Sequence, residues 1–235
     1  MQALSEYKAK LEQQGHQTLM FMLLLMVLVN PFVNNLAGLS WILDMILILV
    51  LLAAVRTVAS HRRQFIVVLV IGITALLSNI NLFIPDLHWL QLLHYISTLV
   101  FLFLTCGLLL KDIVLRSEEA TLDVILGAVN VYLMVGAGFA FTYALIEFLQ
   151  PGSFTGLENL AHTPNKQLFF LYFSFITLST LGYGDISPLT SIGMTTAYVE
   201  AIFGQLYLAI LVARLVAMYI GHSATNKNPQ DSGSK

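Results

Sequence analysis

Apolar residues fall in long runs separated by short polar clusters. Five runs (19–36, 39–59, 65–84, 89–110 and 122–149) approach the length of about 20 residues that a helix needs to cross about 30 Å of hydrocarbon. A sixth extends from about 190 to 220, whereas 165–179 is apolar but too short to cross. That short run predicts a re-entrant helix, which is tolerated at membrane depth only where the irregular backbone beside it is buried in protein or lines a watery cavity. The pattern predicts an all-α membrane protein of six transmembrane helices plus one re-entrant helix.

Basic residues orient these runs. Lys8 and Lys10 precede the first, Arg56, Arg62 and Arg63 bracket the second loop, Lys111 and Arg116 follow the fourth, and Lys227 lies in the tail. All fall on one side if both termini are cytoplasmic, while the opposite loops, around Gly38, around Pro85-Asp86 and over 150–166, hold only Lys166. The first run ends in Asn30-Pro31-Phe32-Val33-Asn34-Asn35 without a small-x-small cleavage site, so it reads as a retained span rather than a signal peptide. The expected organisation is a cytoplasmic N-terminus (1–18), a four-helix N-terminal bundle (19–117), a second membrane unit (118–221) and a polar tail (222–235). That tail is expected to be disordered and too short to bury a core. No repeat with a period of 20–50 residues is evident.

Composition sharpens the class. Hydrophobic residues make up 57% and charged residues 10% of the chain, against roughly 25% charged in a soluble domain, and the mean hydropathy is +0.81. The net charge of −2 comes from sparse charges of both signs, so no basic surface points to nucleic acid. The single cysteine, Cys106, lies inside an apolar run and reads as packing. No Ser/His/Asp or Cys/His arrangement supports an enzyme, and no cofactor is expected. A secondary transporter would show paired repeats and broken helices near the midplane, and neither is evident.

The short apolar helix Leu168-Phe169-Phe170-Leu171-Tyr172-Phe173-Ser174-Phe175-Ile176-Thr177-Leu178-Ser179 runs directly into Thr180-Leu181-Gly182-Tyr183-Gly184-Asp185-Ile186-Ser187-Pro188. Here the chain resembles the potassium channel family, whose selectivity filter reads Thr-x-Gly-Tyr-Gly-Asp after a short pore helix. The resemblance extends over about 122–219 as outer helix, turret, pore helix, filter and inner helix. It implies a potassium-selective channel with K+ as the permeant ion, a homotetramer in the cell membrane, and a four-helix bundle followed by a tetrameric pore domain. A voltage-gated or nonselective cation channel is the rival reading.

A K+ ion leaving water needs replacement oxygens, and backbone carbonyls from four copies of one loop supply them in stacked rings. Turning successive carbonyls inward requires backbone conformations that glycine visits without steric penalty, a need that Gly182 and Gly184 answer. By the resemblance, the carbonyls of Thr180, Leu181, Gly182 and Tyr183 form the ion sites and the Thr180 hydroxyl adds the innermost ring. Tyr183 would point away from the pore and brace the loop. Asp185 stands at the outer mouth, where a hydrogen bond can fix the loop, and Tyr172 is the partner expected for it. Ile176 is apolar where some relatives carry an acid behind the filter.

In the outer helix, Gly136, Ala140 and Ala144 form a small face expected to lie against the inner helix. Glu147 and Glu158, near the outer mouth, either raise local cation concentration or are solvated helix-end and loop residues. Gly204, about halfway along the inner helix, is either a gating hinge or a close-packing position. Arg214 is a further gate candidate, with a lipid-interface role or a pair to Glu118 or Glu119 as the alternatives.

The N-terminal bundle resembles a voltage sensor in layout but carries no sensor arginines. Asp44, His88, Gln91, His94, Asn30, Asn34, Asn79 and Asn81 are expected in the outer halves of their spans. His88, Gln91 and Tyr95 share one helix face, expected either to hold the bundle together by interhelical hydrogen bonds or to line a pH-sensitive vestibule. Membrane lipid and an unidentified regulator of the bundle are the remaining expected partners.

Overall fold

The computed structural model describes residues 2–34, 41–57, 62–78, 88–116, 122–157 and 167–225. In chain order these form α1 (Gln2–Asn34), α2 (Trp41–Thr57), α3 (Arg62–Ser78), α4 (His88–Arg116), α5 (Leu122–Leu149), β1 (Phe154–Thr155), α6 (Gln167–Leu178), β2 (Ser187–Pro188) and α7 (Ser191–Thr225). Among the described residues, three helices are long and apolar enough to cross a membrane: His88–Ile113 in α4, Leu122–Leu149, and Ser191–Met218 in α7. The apolar stretches of α1, α2 and α3 are shorter, at Gln14–Val29, Met45–Val55 and Phe65–Ala75, and so is Phe169–Leu178 in α6. The protein is a mostly helical membrane protein.

α5 is the central post. It is apolar all round, as a helix enclosed by neighbours must be. α4 packs along it, α1 reaches it from another side, and α6 lies between it and α7. α1 pairs with α2 and α3 with α4, so the N-terminal helices and the C-terminal half share one continuous core running from Leu19 to Tyr207. Buried polar groups stitch the post to its neighbours. Asn130 Nδ2 donates to the His16 carbonyl on α1 at 2.9 Å. Tyr207 Oη on α7 donates to the Ala128 carbonyl at 2.7 Å.

The polar segment 2–18 continues the first apolar run as one helix. At the other end α7 runs to Thr225, past the expected tail boundary at 222. Extending an existing helix fixes one residue for each hydrogen bond gained, so polar residues without proline follow on readily. The rest of the tail lies outside the described residues, as do Asn79, Asn81, Glu118, Glu119, Glu158 and Lys166. On α4, the rings of His88 and Tyr95 both rest on Phe148 of α5, with centroids 6.3 Å and 5.6 Å away. With Glu147 and Phe170 they border a cavity of about 340 Å³, so two of the three residues predicted to share a face (His88, Gln91 and Tyr95), namely His88 and Tyr95, bear on the C-terminal end of α5.

Candidate functional site: the loop after the re-entrant helix

α6 is held by its aromatic residues. Phe170 and Phe173 lie one turn apart and are buried against Tyr143 of α5 and Phe154 of β1. The Tyr143–Phe173 centroids are 4.8 Å apart and the Phe154–Phe170 centroids 5.3 Å, in the edge-to-face arrangement that the ring quadrupole favours. Ser174 Oγ lies 2.7 Å from the Gly136 carbonyl. A Cβ at Gly136 would sit 2.7 Å from the Phe175 ring. At Gly136 the small face of α5 therefore meets α6 rather than α7, the helix expected there, because α6 is wedged between the two.

The chain leaves α6 through a tight set of backbone bonds. Thr180 N donates to the Thr177 carbonyl at 2.9 Å, and the amides of Leu181 and Gly182 converge on the Ile176 carbonyl at 2.8 Å and 3.1 Å. These bonds satisfy carbonyls that a helix end would otherwise leave open. They also set direction. No peptide here is cis, and in a planar trans unit the C=O points opposite to the N–H that follows it. The Thr180 and Leu181 carbonyls are therefore turned away from α6, both toward the same side. The Ile176 side chain is buried and apolar, and its main chain anchors the loop.

Gly182 and Gly184 take positive φ, at 53° and 78°. Thr180 does so too, at 60°, which sequence reasoning did not anticipate because the conformation costs a β-branched residue about 1–3 kcal/mol. The hydrogen bond from its N–H to the Thr177 carbonyl and one from Gln205 Nε2 of α7 to its Oγ1, at 3.1 Å, hold it there. Tyr172 Oη donates to Asp185 Oδ2 at 2.7 Å, bringing the two expected partners together. Leu181 and Tyr183 are 56% and 67% exposed in the single chain.

The far end of the loop is clamped by two short strands. Phe154 pairs with Pro188 and Thr155 with Ser187, and Leu189 N donates to the Ser153 carbonyl at 2.7 Å. Glu147 supports this clamp: its carboxylate accepts the amides of Gly152 at 3.0 Å and Ser153 at 2.9 Å, closing the turn after α5. Nothing in the sequence pattern announced strands two residues long.

On α7, Gly204 faces the Leu178 carbonyl at a separation that admits no Cβ, a close approach that favours packing over a hinge. Arg214 is half-buried in a groove of about 390 Å³ with Leu110, Ile113, Phe203 and Ile210, remote from the loop. Sequence reasoning passed over two α7 residues, Gln205 and Glu200. Glu200 is fully buried and meets Tyr143 and Ser174. Its signal was available, since it is the one acid in α7 and an ionisable residue in an apolar span marks a functional position by default.

Residues 131–220 match the family described as Ion channel. The chain is 32% identical over 102 residues to Protein LctB of Bacillus caldotenax, covering 43% of this chain and 75% of that protein. It is 31% identical over 94 residues to the Inward rectifier potassium channel Kirbac3.1 of Paramagnetospirillum magnetotacticum, covering 38% of this chain and 28% of that protein. The chain thus spans under a third of that second relative's length. No solved structure matches.

Proposed function

The chain belongs to the ion channel family, and we propose that it is a K+-selective channel that assembles as a homotetramer in the cell membrane. The observation carrying this reading is the turn of the Thr180 and Leu181 carbonyls away from α6 while their following amides are tied to Ile176. Four such loops around an axis stack carbonyl rings that replace the hydration shell of K+, with the Gly182 and Tyr183 carbonyls and the Thr180 hydroxyl completing the column. Gly184 and the Tyr172–Asp185 bond hold the column open at its outer end. The matching relative named as a potassium channel points the same way.

The tetramer has support in the single chain. One loop provides a quarter of each cage, and the exposed Leu181 and Tyr183 lie next to an α7 that also exposes Ile192, Ile202, Leu206 and Ile210. In this reading the chain crosses six times with both termini cytoplasmic. The N-terminal helices act as scaffold or receive a stimulus other than voltage. Purified protein in liposomes is the test: K+ flux should clearly exceed Na+ flux if carbonyl cages discriminate the two ions. Equal fluxes would sink the proposal.

A further inference from the structure

Glu200 sits where three helices meet, and it is fully buried. Tyr143 Oη of α5 reaches one carboxyl oxygen and Ser174 Oγ of α6 reaches the other. Ser174 Oγ also lies 2.7 Å from the Gly136 carbonyl. Each of these three oxygen–oxygen links needs a proton between its ends. Tyr143 and Ser174 supply one each, so the third must be carried by Glu200 itself. As an ion, Glu200 would take both hydroxyl protons and leave the Ser174 oxygen against the Gly136 carbonyl with nothing between them.

The surroundings agree. α5 and α6 contain no Lys, Arg or His, and the one Lys or Arg in α7, Arg214, lies about 21 Å along the helix from Glu200. The other titratable groups on these three helices are Asp123, Tyr132 and Glu147 of α5, Tyr172 of α6, and Tyr198, Tyr207, Tyr219 and His222 of α7. Of these only His222 can carry a positive charge, and it lies about 33 Å along the helix from Glu200. A buried carboxylate without a counter-charge is strongly disfavoured, whereas a neutral acid with both oxygens bonded is not.

We propose that Glu200 is a positioning residue that works as a neutral carboxylic acid: it donates to Ser174 Oγ, Ser174 donates to the Gly136 carbonyl, and Tyr143 donates to the other Glu200 oxygen. The effect on the filter is geometric. Ser174 and Leu178 lie one turn apart on α6, and their partners Glu200 and Gly204 lie one turn apart on α7. The acid and the glycine are two rungs that fix the end of α6 from which the 180–185 loop springs. The consequence for conduction rests on the channel reading; the protonation state does not.

Infrared spectroscopy of the full-length protein in liposomes at neutral pH separates the two. The carbonyl stretch of a protonated carboxylic acid should be present in the wild type, shifted in Ser174→Ala, and absent from Glu200→Gln. A wild-type spectrum without that band, or one whose band is unchanged in both variants, overturns the proposal. In flux, Glu200→Gln should stay within about twofold of wild type, because its amide still donates to Ser174 and accepts from Tyr143, while Glu200→Ala loses about tenfold or more. A glutamine variant as impaired as alanine contradicts the neutral-acid role. Absence of K+ flux in the wild type with the infrared band in place would instead count against the channel reading alone.

Discussion

Tyr172 and Asp185 are 13 positions apart and joined by one hydrogen bond at 2.7 Å. Because both side chains are exposed in the single chain, the bond contributes only about 1 kcal/mol there. Its place at the C-terminal end of the loop still makes it matter for how long the loop keeps its shape. Tyr172→Phe should shorten single-channel open times several-fold without changing which ion permeates; recordings with wild-type dwell times would show that the bond does not brace the loop. The residues of this loop were legible because their letters encode backbone demands: Gly182 and Gly184 stand at positions of positive φ. The backbone conformation of Thr180 was not, since its φ of 60° is set by contacts to Thr177 and Gln205 rather than by its own preference. Glu200 likewise finds its partners 26 and 57 residues away, where no local spacing rule reaches.

At the level of elements, the decisive arrangement is α6 wedged between α5 and α7. The sequence shows a half-length apolar helix before the glycine loop, and its length alone predicts that it does not cross. It does not show which neighbour each face meets. A row of small residues says that something approaches closely, and at Gly136 that is Phe175 of α6. Gly204 is the corresponding position on α7, against the Leu178 carbonyl. Gly204→Ala forces a methyl into main chain that cannot yield, at a cost of about 1–3 kcal/mol for overpacking of this kind. The expected outcome is an oligomer that dissociates at lower temperature together with reduced K+ flux. A variant with unchanged thermal stability and only an altered open probability would favour a hinge instead. The β1–β2 clamp was invisible because two-residue strands carry no periodicity.

On the scale of the whole molecule, the N-terminal helices share a core with α5, yet they hold little charge that a membrane field could move. α4 has no Lys or Arg between His88 and Leu110, and moving one charge across the whole field is worth about 2.3 kcal/mol per 100 mV. Conductance measured against voltage in symmetrical K+ should therefore rise only shallowly and be indifferent to Arg56→Gln. A steep sigmoid abolished by that substitution would show that α2 senses voltage. The loop and α7, by contrast, are open in the single chain: Tyr183 is 67% exposed and α7 displays a long apolar face. That exposure is what four copies around an axis would cover, and the loop turned toward that axis is what would choose the ion. The reversal potential with K+ on one side of a bilayer and Na+ on the other tests this most directly. A K+-selective pore gives a reversal displaced far toward the K+ equilibrium potential, and a reversal near zero would contradict that selectivity.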